Sequence, residues 1–374
     1  MLDPCASLRT ACGVQATQHR DSGTIPCLTS PSLLIQCHNA NRNASAMGSP
    51  EVRPMSEKEE NERRGPRRWN RREFLKWVGL GAAGLAAGCG KEQASAPSAK
   101  PPPLAPMAHG VVAVAEGGSP AKMVELALKP LGGIEAFVKK GSFVVLKPNI
   151  GWQRLPEQAA NTNPEVVGAV VRLCMKAGAS RVLVVEHTCD QPSDICFEMS
   201  GIQQAVRQAG GEIMAANREA QYEPLDLPYA RELTVSTVAK EVRRADCFIN
   251  IPIAKDHSQA RLSIGMKNLM GVVWDRQEWH RSRSLDQCIA DYLTGVRPHL
   301  TIVDAVRILV GMGPKGPGPT KDTRQVIASV DAVAADAFAA MLFGLSASDV
   351  EYLRLAGEMG LGETNPNKMK ILRA

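Results

Sequence analysis

Along residues 109–374, short unbroken apolar runs alternate with stretches in which apolar positions recur every three or four residues. Runs at 111–115, 143–147, 181–186, 246–253 and 299–304 are apolar almost throughout, which predicts strands buried on both faces. Pro148 closes the second of them. Helical spacing marks 122–140, interrupted at Pro130 and Gly132-Gly133, and 164–177, where Asn163 stands as N-cap and Pro164 as first helical residue. The apolar face of that second helix includes Val167, Val170, Val171 and Cys174. Further helices are predicted over 202–208, ended by Gly210-Gly211, over 332–343, capped by Asp331, and over 349–358. Strands of this kind, alternating with helices, predict an α/β domain: a mainly parallel sheet with helices on both faces.

The stretch before residue 109 has a different texture. Residues 1–54 carry no periodic apolar pattern and read as a disordered tail or a mis-assigned start, with Met47 or Met55 as the more plausible first residue. Residues 55–90 contain Arg71-Arg72-Glu73-Phe74-Leu75-Lys76, then an apolar run over 77–87, then Leu85-Ala86-Ala87-Gly88-Cys89. Paired arginines, a short weakly apolar segment and small residues before a cysteine are the order of a twin-arginine export signal joined to a lipobox. The run is too short to span hydrocarbon as a permanent helix. The expectation is recognition by the twin-arginine translocase and lipid attachment at Cys89. That would leave the protein on the periplasmic side of a bacterial membrane, or at the cell surface. Residues 91–108, rich in Pro, Ala and Ser, read as a tether to the α/β domain of 109–374.

Net charge is informative once it is divided along the chain. The net charge is +6, but residues 1–108 hold 14 Lys+Arg against 9 Asp+Glu and residues 109–374 hold 30 against 29. Basicity thus belongs to the targeting region, and a nucleic-acid partner loses its compositional support. Of the cysteines in the domain, Cys189 and Cys196 share a polar stretch and form the pair most open to a disulfide. Cys174 and Cys247 sit in apolar segments and read as small buried side chains.

Ligands of parallel α/β sheets bind beyond the carboxyl ends of the strands. That rule selects Lys147-Pro148-Asn149, Glu186-His187, the stretch 250–257, and Asp304 with the loop 311–319. Lys255, His257, Lys267, Asn268 and His280 make the densest polar constellation. Imidazoles and amines together can run acid/base chemistry or hold a metal and an anion, so His257, Lys267 and His280 are the catalytic candidates. Lys147, Asn149, Asn250, Lys255, Asn268 and Lys315 are the ligand-binding ones. The competing reading makes Lys255 and His257 a solvated loop and Lys267 an exposed helical cation. The Gly/Pro-rich loop 311–319 is a candidate lid carrying Lys315, or simply a mobile connection; it is neither a phosphate-binding loop of the Walker type nor a dinucleotide fingerprint. Glu186 and Asp304, with Asp331 and Asp336, could converge on a divalent cation, although Asp331 is explained more economically as a helix cap. The Cys189–Cys196 spacing does not suit zinc or an iron–sulfur cluster. His109, His187 and His299 stand alone and read as structural.

Taken in order, Val145-Leu146-Lys147-Pro148-Asn149, Thr162-Asn163-Pro164-Glu165, Ile249-Asn250-Ile251-Pro252 with Lys255 and His257, and Lys267-Asn268-Leu269-Met270-Gly271 resemble domain-of-unknown-function family 362. His280, Ile302-Val303-Asp304, the loop 311–318 and Ala328-Ser329-Val330-Asp331 continue the likeness through Asp336. The resemblance implies an α/β domain of unassigned activity, exported in many members and carrying ferredoxin-like cysteine clusters in others. This chain has no Cys-x2-Cys-x2-Cys run, so cluster binding does not carry over. The order of His257, Lys267 and His280 also resembles that of the lactate racemase type of nickel-pincer enzyme.

Two functions fit these residues. One is a metal- or cofactor-dependent enzyme acting on a small anionic ligand. The other is a lipid-tethered protein that binds a ligand or a redox partner without chemistry.

Overall fold

The computed structural model describes residues 109–281 and 283–374. The chain divides into two units, Met1–Lys91 and Glu92–Ala374, and every described residue belongs to the second. The expected tail, export signal and tether, with Arg71, Arg72 and Cys89, lie outside the described residues.

Strands β1 (Val111–Glu116), β2 (Phe143–Pro148), β3 (Arg181–Glu186) and β4 (Glu212–Ala215) are followed by a separate hairpin, β5 (Tyr222–Asp226) and β6 (Val235–Ala239). Then come β7 (Cys247–Ile251), β8 (Ile253–His257), β9 (Arg261–Ser263), β10 (Leu300–Leu309), β11 (Thr320–Ser329) and β12 (Lys370–Arg373). The main sheet runs β12-β1-β11-β10-β7-β2-β3-β4, with β8 beside β10 and β9 beside β8. β10, β7, β2, β3 and β4 are mutually parallel; β11 is antiparallel to both neighbours, and β9 to β8. The fold is α/β with a mainly parallel sheet.

Helices are α1 (Pro120–Leu128), α2 (Pro164–Lys176), α3 (Ser193–Met199), α4 (Ile202–Gln208) and α5 (Lys240–Arg244). The rest are α6 (Gly265–Asn268), α7 (Gln277–Arg281), α8 (Leu285–Tyr292), α9 (Ala332–Ala340) and α10 (Glu351–Glu358). They cover both faces because successive strand residues point to opposite sides. Val144, Leu146, Val182 and Val184 join the apolar cluster of α1, α2 and α4. Val145, Leu183, Val185 and Val303 join the one built with α8, α9, α10 and the β5–β6 hairpin. The predicted caps form as chemistry dictates: Asn163 Oδ1 accepts from Glu165 N and Asp331 Oδ1 from Ala334 N. Among the described residues no helix is long and apolar enough to cross a membrane.

One predicted strand divides. Residues 246–253 yield β7 and β8 separated by Pro252, which has no N–H to continue the ladder. Its carbonyl instead accepts from Asp304 N at 2.8 Å. This break lets β8 leave β7 and pair with β10, carrying Lys255 and His257 past the carboxyl edge of the sheet.

Candidate functional site

β7, β2 and β3 run in parallel, so Ile251, Pro148 and Glu186 end on one edge. The loops leaving that edge, together with β8, α6 and α7, enclose a cavity of about 600 Å³. Lys147, Asn149, Lys255, His257, Lys267, Asn268 and His280 all line it, as do Glu186 and His187. The solvated-loop alternative fails for three of them: Lys255 is 1 % exposed, His257 7 % and Lys267 8 %.

The three lysines sit in three different environments. Lys147 Nζ donates to Glu186 Oε2 at 2.8 Å, Pro148 O at 2.6 Å and Asn268 Oδ1 at 3.2 Å. Glu186 Oε2 also accepts from Ile150 N at 2.8 Å. Burial pulls the Lys147 ammonium downward and the Glu186 carboxylate opposes that pull. Gly271 packs directly on this pair; a Cβ there would overlap Glu186 Oε1 and Lys147 Cε. Among the described residues Lys255 Nζ donates to neutral oxygens alone, Asn149 Oδ1 at 2.9 Å and Ala160 O at 2.5 Å. Burial lowers it to about 7. Lys267 has, among the described residues, a single acceptor, the Met270 thioether at 3.4 Å. Burial, with Arg276 nearby, lowers it to about 8.

Asn268 and Asn250 hold this cluster together from below. Asn268 Nδ2 donates to Lys147 O at 2.9 Å and Asn250 Oδ1 at 2.8 Å, and Asn250 Nδ2 donates to Gly265 O at 2.9 Å. Asn250 is thus a buried tie that does not line the cavity, contrary to its expected ligand-binding role. Lys315 is also displaced from that role: its ammonium pairs with Asp190 Oδ1 at 2.8 Å and lies 5.6 Å over the Trp152 ring. Its loop is fastened, because Gly313 N donates to Asp256 Oδ2 at 2.9 Å and Arg154 reaches the carbonyls of Lys315 and Gly316. Pro314 supplies that loop's contribution to the cavity wall.

The two candidate catalytic histidines have opposite tautomers. His257 Nδ1 accepts from Gln259 N and Ala260 N, each at 3.1 Å, so its hydrogen is on Nε2. Burial and the charges of Lys267 and Lys255 push its pKa down to about 2. His280 Nδ1 lies 2.6 Å from Gln259 Oε1, an oxygen that only accepts, so Nδ1 carries the hydrogen and Nε2 keeps its lone pair. Burial and Lys267 hold it at about 4. The two rings are 6.5 Å apart. His187, expected to be structural, stands in the cavity wall, stacked on Trp274 at 5.3 Å with Nδ1 at 3.2 Å from Val273 O. Burial and Arg276 lower it to about 4. His299 is structural as expected, accepting from Phe248 N.

Sequence reasoning missed Trp152, Cys189, Gln259, Arg276 and Arg281, which also line the cavity. Arg276 bridges distant loops: it donates to His187 O at 2.6 Å, Thr188 O at 2.9 Å and Cys189 Sγ at 3.4 Å. Trp152 and Cys189 follow the ends of β2 and β3 by only a few residues, so the strand-end rule, extended further along each loop, would have found them. Nothing local marks Arg276. Cys189 and Cys196, the expected disulfide candidates, are both free thiols.

The proposed convergence of carboxylates is corrected by the structure. Asp304, 1 % exposed, accepts from Asn163 N at 2.7 Å and Val306 N at 3.0 Å, and burial raises it to about 6. Asp336 accepts from Gly265 N at 2.7 Å and Met266 N at 2.8 Å, and Asp331 caps α9. Each is held by backbone N–H groups in its own place, and Glu186 is engaged by Lys147. Among the described residues no three or more His, Cys, Asp or Glu are grouped to hold a metal ion. The cavity lining also opposes a divalent cation, since Lys147, Lys255, Lys267, Arg276 and Arg281 face one carboxylate that is already paired. The residues present fit an anion instead.

Comparison with known proteins adds the following. A thylakoid-associated protein of Synechocystis sp. is 28 % identical over 267 residues, 67 % of this chain and 78 % of that protein. A Thermotoga maritima protein of solved structure shares 11 % identity at a TM-score of 0.41, covering 61 % of this chain and 60 % of that one. The lactate racemase apoprotein of Thermoanaerobacterium thermosaccharolyticum shares 12 % at a TM-score of 0.38, covering 60 % and 54 %. The chain thus spans less than two thirds of either solved structure, and at these scores neither bears on its chemistry. Residues 144–341, just over half of the chain, match the model of the family described as "Domain of unknown function (DUF362)". The chain belongs to that DUF362 family.

Proposed function

We propose that this protein is an enzyme that holds a small organic carboxylate in its cationic cavity and removes a proton from the carbon beside the ligand's carbonyl group. The observation that carries this reading is the pair of opposite tautomers. His280 Nε2 presents a lone pair, the form a general base needs. His257 Nε2 presents a hydrogen held there by two backbone donors on the other ring nitrogen, the form that stabilises a developing oxyanion without itself giving up a proton. In the step, His280 takes the C–H proton, the electron pair moves toward the carbonyl oxygen, and that oxygen receives the His257 hydrogen bond. Lys255, with one ammonium hydrogen left after Asn149 and Ala160, supplies charge for the carboxylate. A cavity of about 600 Å³ accommodates a ligand of metabolite size.

The experiment is proton exchange followed by NMR in heavy water, with pyruvate, oxaloacetate and 2-oxoglutarate as probes. Loss of the C–H signal next to the carbonyl, abolished in His280→Ala, supports the reading. Saturable binding of all three acids with no exchange would point to the non-catalytic ligand-binding alternative.

Export and lipid attachment are part of the proposal. Arg71-Arg72 with its following pattern and the lipobox at Cys89 support a protein anchored on the outer side of a bacterial membrane after passage through the twin-arginine translocase. The relative's description as thylakoid-associated agrees with a membrane-surface setting. Mass spectrometry of membrane-extracted protein tests it: an acylated Cys89 at the mature amino terminus is the expected finding, and an unprocessed chain contradicts it.

A further inference from the structure

Burying a lysine is costly unless its charge is matched, and the three lysines of the cavity are matched to different degrees. Lys147 has a carboxylate, Lys255 has two neutral oxygens, and Lys267, 8 % exposed, has a thioether. A sulfur acceptor of this kind offers an ammonium little, so among the described residues no hydrogen-bonded carboxylate or carbonyl matches the Lys267 charge. Architecture does not require the amine there either: α6 is held by its backbone, through Gly265 N and Met266 N on Asp336, and not by the Lys267 side chain.

We infer that Lys267 is a covalent nucleophile that condenses with the carbonyl carbon of a 2-oxo acid held in this cavity; the inference rests on the anion-binding reading above and names its substrate class. In the first half of the step, the neutral Nζ lone pair forms the C–N bond while the carbonyl π pair moves to oxygen, which receives, through His280 Nε2, one of the two protons of the new ammonium nitrogen. In the second half, the nitrogen gives its remaining proton to His280 Nε2, and the hydroxyl, protonated in turn from His280, leaves as water as the C=N bond forms. Amine and oxo acid thus give imine and water, with no oxidant or reductant required.

The surroundings keep Lys267 in the reactive form. Burial disfavours its charge, Arg276 opposes it, and Cys189 and Asp286 favour it more weakly than burial disfavours it. With the amine lowered to about 8, a useful share of it is neutral near neutrality, as amine nucleophiles activated by desolvation and neighbouring cations are. Lys255 lines the same cavity and feels the Lys267 charge, so the group that holds the carboxylate and the nucleophile share one pocket.

The test treats the purified, full-length protein with pyruvate or 2-oxoglutarate and sodium cyanoborohydride, then maps modified lysines by peptide mass spectrometry. Calorimetry with the same acids runs in parallel. The expected result is a reduced adduct, the oxo acid less its carbonyl oxygen, concentrated on Lys267 by at least about tenfold over any other lysine. Lys267→Arg should remove it, while the low background at exposed Lys140 and Lys321 persists. The map on the unsubstituted protein decides the matter even if that variant fails to fold. Saturable calorimetric binding without a Lys267 adduct overturns the covalent step and leaves the anion site standing. Adducts spread evenly over exposed lysines also overturn it, and absence of both binding and adduct overturns the two readings together.

Discussion

The carboxylates of Asp291, Asp304, Asp331 and Asp336 and the amines of Lys255 and Lys267 are all buried, yet they end at opposite kinds of partner. Asp291 accepts from the backbone nitrogens of Arg231, Glu232 and Leu233 and from Gln287 Nε2, all between 2.8 and 2.9 Å. It ties the loop before β6 to α8. Asp336 holds the start of α6, and Asp331 joins α9 to Gly110 N and Glu363 N. Their hydrogen bonds are spent on the fold. The cavity amines lie at the ends of long side chains, have one thioether and two neutral oxygens between them, and face open volume. In this molecule buried negative charge is architectural, and buried positive charge at the strand ends is left for a ligand.

That contrast can be broken by substitution. The largest effect is expected at the one place where the two kinds meet. Glu186→Ala leaves the Lys147 ammonium buried without its carboxylate, and urea unfolding should show a loss of about 3–5 kcal/mol. His280→Ala should leave stability nearly unchanged and slow proton exchange on a bound oxo acid about 10²–10⁴-fold. Asp291→Ala strips a set of backbone N–H groups of their acceptor far from the cavity; unfolding should become easier by about 2–3 kcal/mol while calorimetric affinity for oxo acids holds. The smallest effect is the pH response of stability. His187, His257 and His280 are depressed to about 4, about 2 and about 4. The stability that depends on their neutral forms is therefore present above the unfolded value of about 6.5 and lost as pH falls toward those folded values. Between about pH 6.5 and 5 the imidazoles therefore lower the free energy of urea unfolding, by on the order of 1 kcal/mol for His257 and by less for the more exposed His187 and His280, while Asp304 and Asp336, raised to about 6 and about 7, take up protons in the folded state and oppose that loss. In His257→Gln the profile should lack the His257 contribution; a profile identical to the parent's would mean that ring is not held neutral.

What the sequence made legible follows the same division. β1, β2, β3 and α2 were readable because an unbroken apolar run or an Asn-Pro helix start is a local signal. The edge of the sheet carrying the site was readable from parallel topology alone, which selected Lys147, Lys255 and His257, while Lys267 and His280 came from the density of amines and imidazoles that follows them. β11 was not read, because its first residues, Thr320 to Gln325, are polar and mostly exposed and only its second half is buried. The β5–β6 hairpin was not read either, since it lies off the main sheet and alternates weakly. Asp304 and Asp336 were misjudged as candidate ligands because a carboxylate that binds backbone nitrogens many residues away looks, in sequence, the same as one awaiting a metal. Arg276 was invisible for a related reason: its partners are the carbonyls of His187 and Thr188, which only the folded loops bring within reach.

The most direct test of a cavity reserved for an anion is calorimetric titration of the protein with oxaloacetate at pH 8 in buffers of differing ionisation enthalpy, alongside Lys267→Met. An anion raises the depressed values of Lys255 and Lys267, about 7 and about 8, so binding should draw protons from the buffer. The Lys267→Met variant should be at least as resistant to urea as the parent, because it no longer buries an unmatched amine, and should bind oxaloacetate at least about tenfold more weakly. Proton-neutral binding that survives Lys267→Met, or no binding at all, would contradict the account.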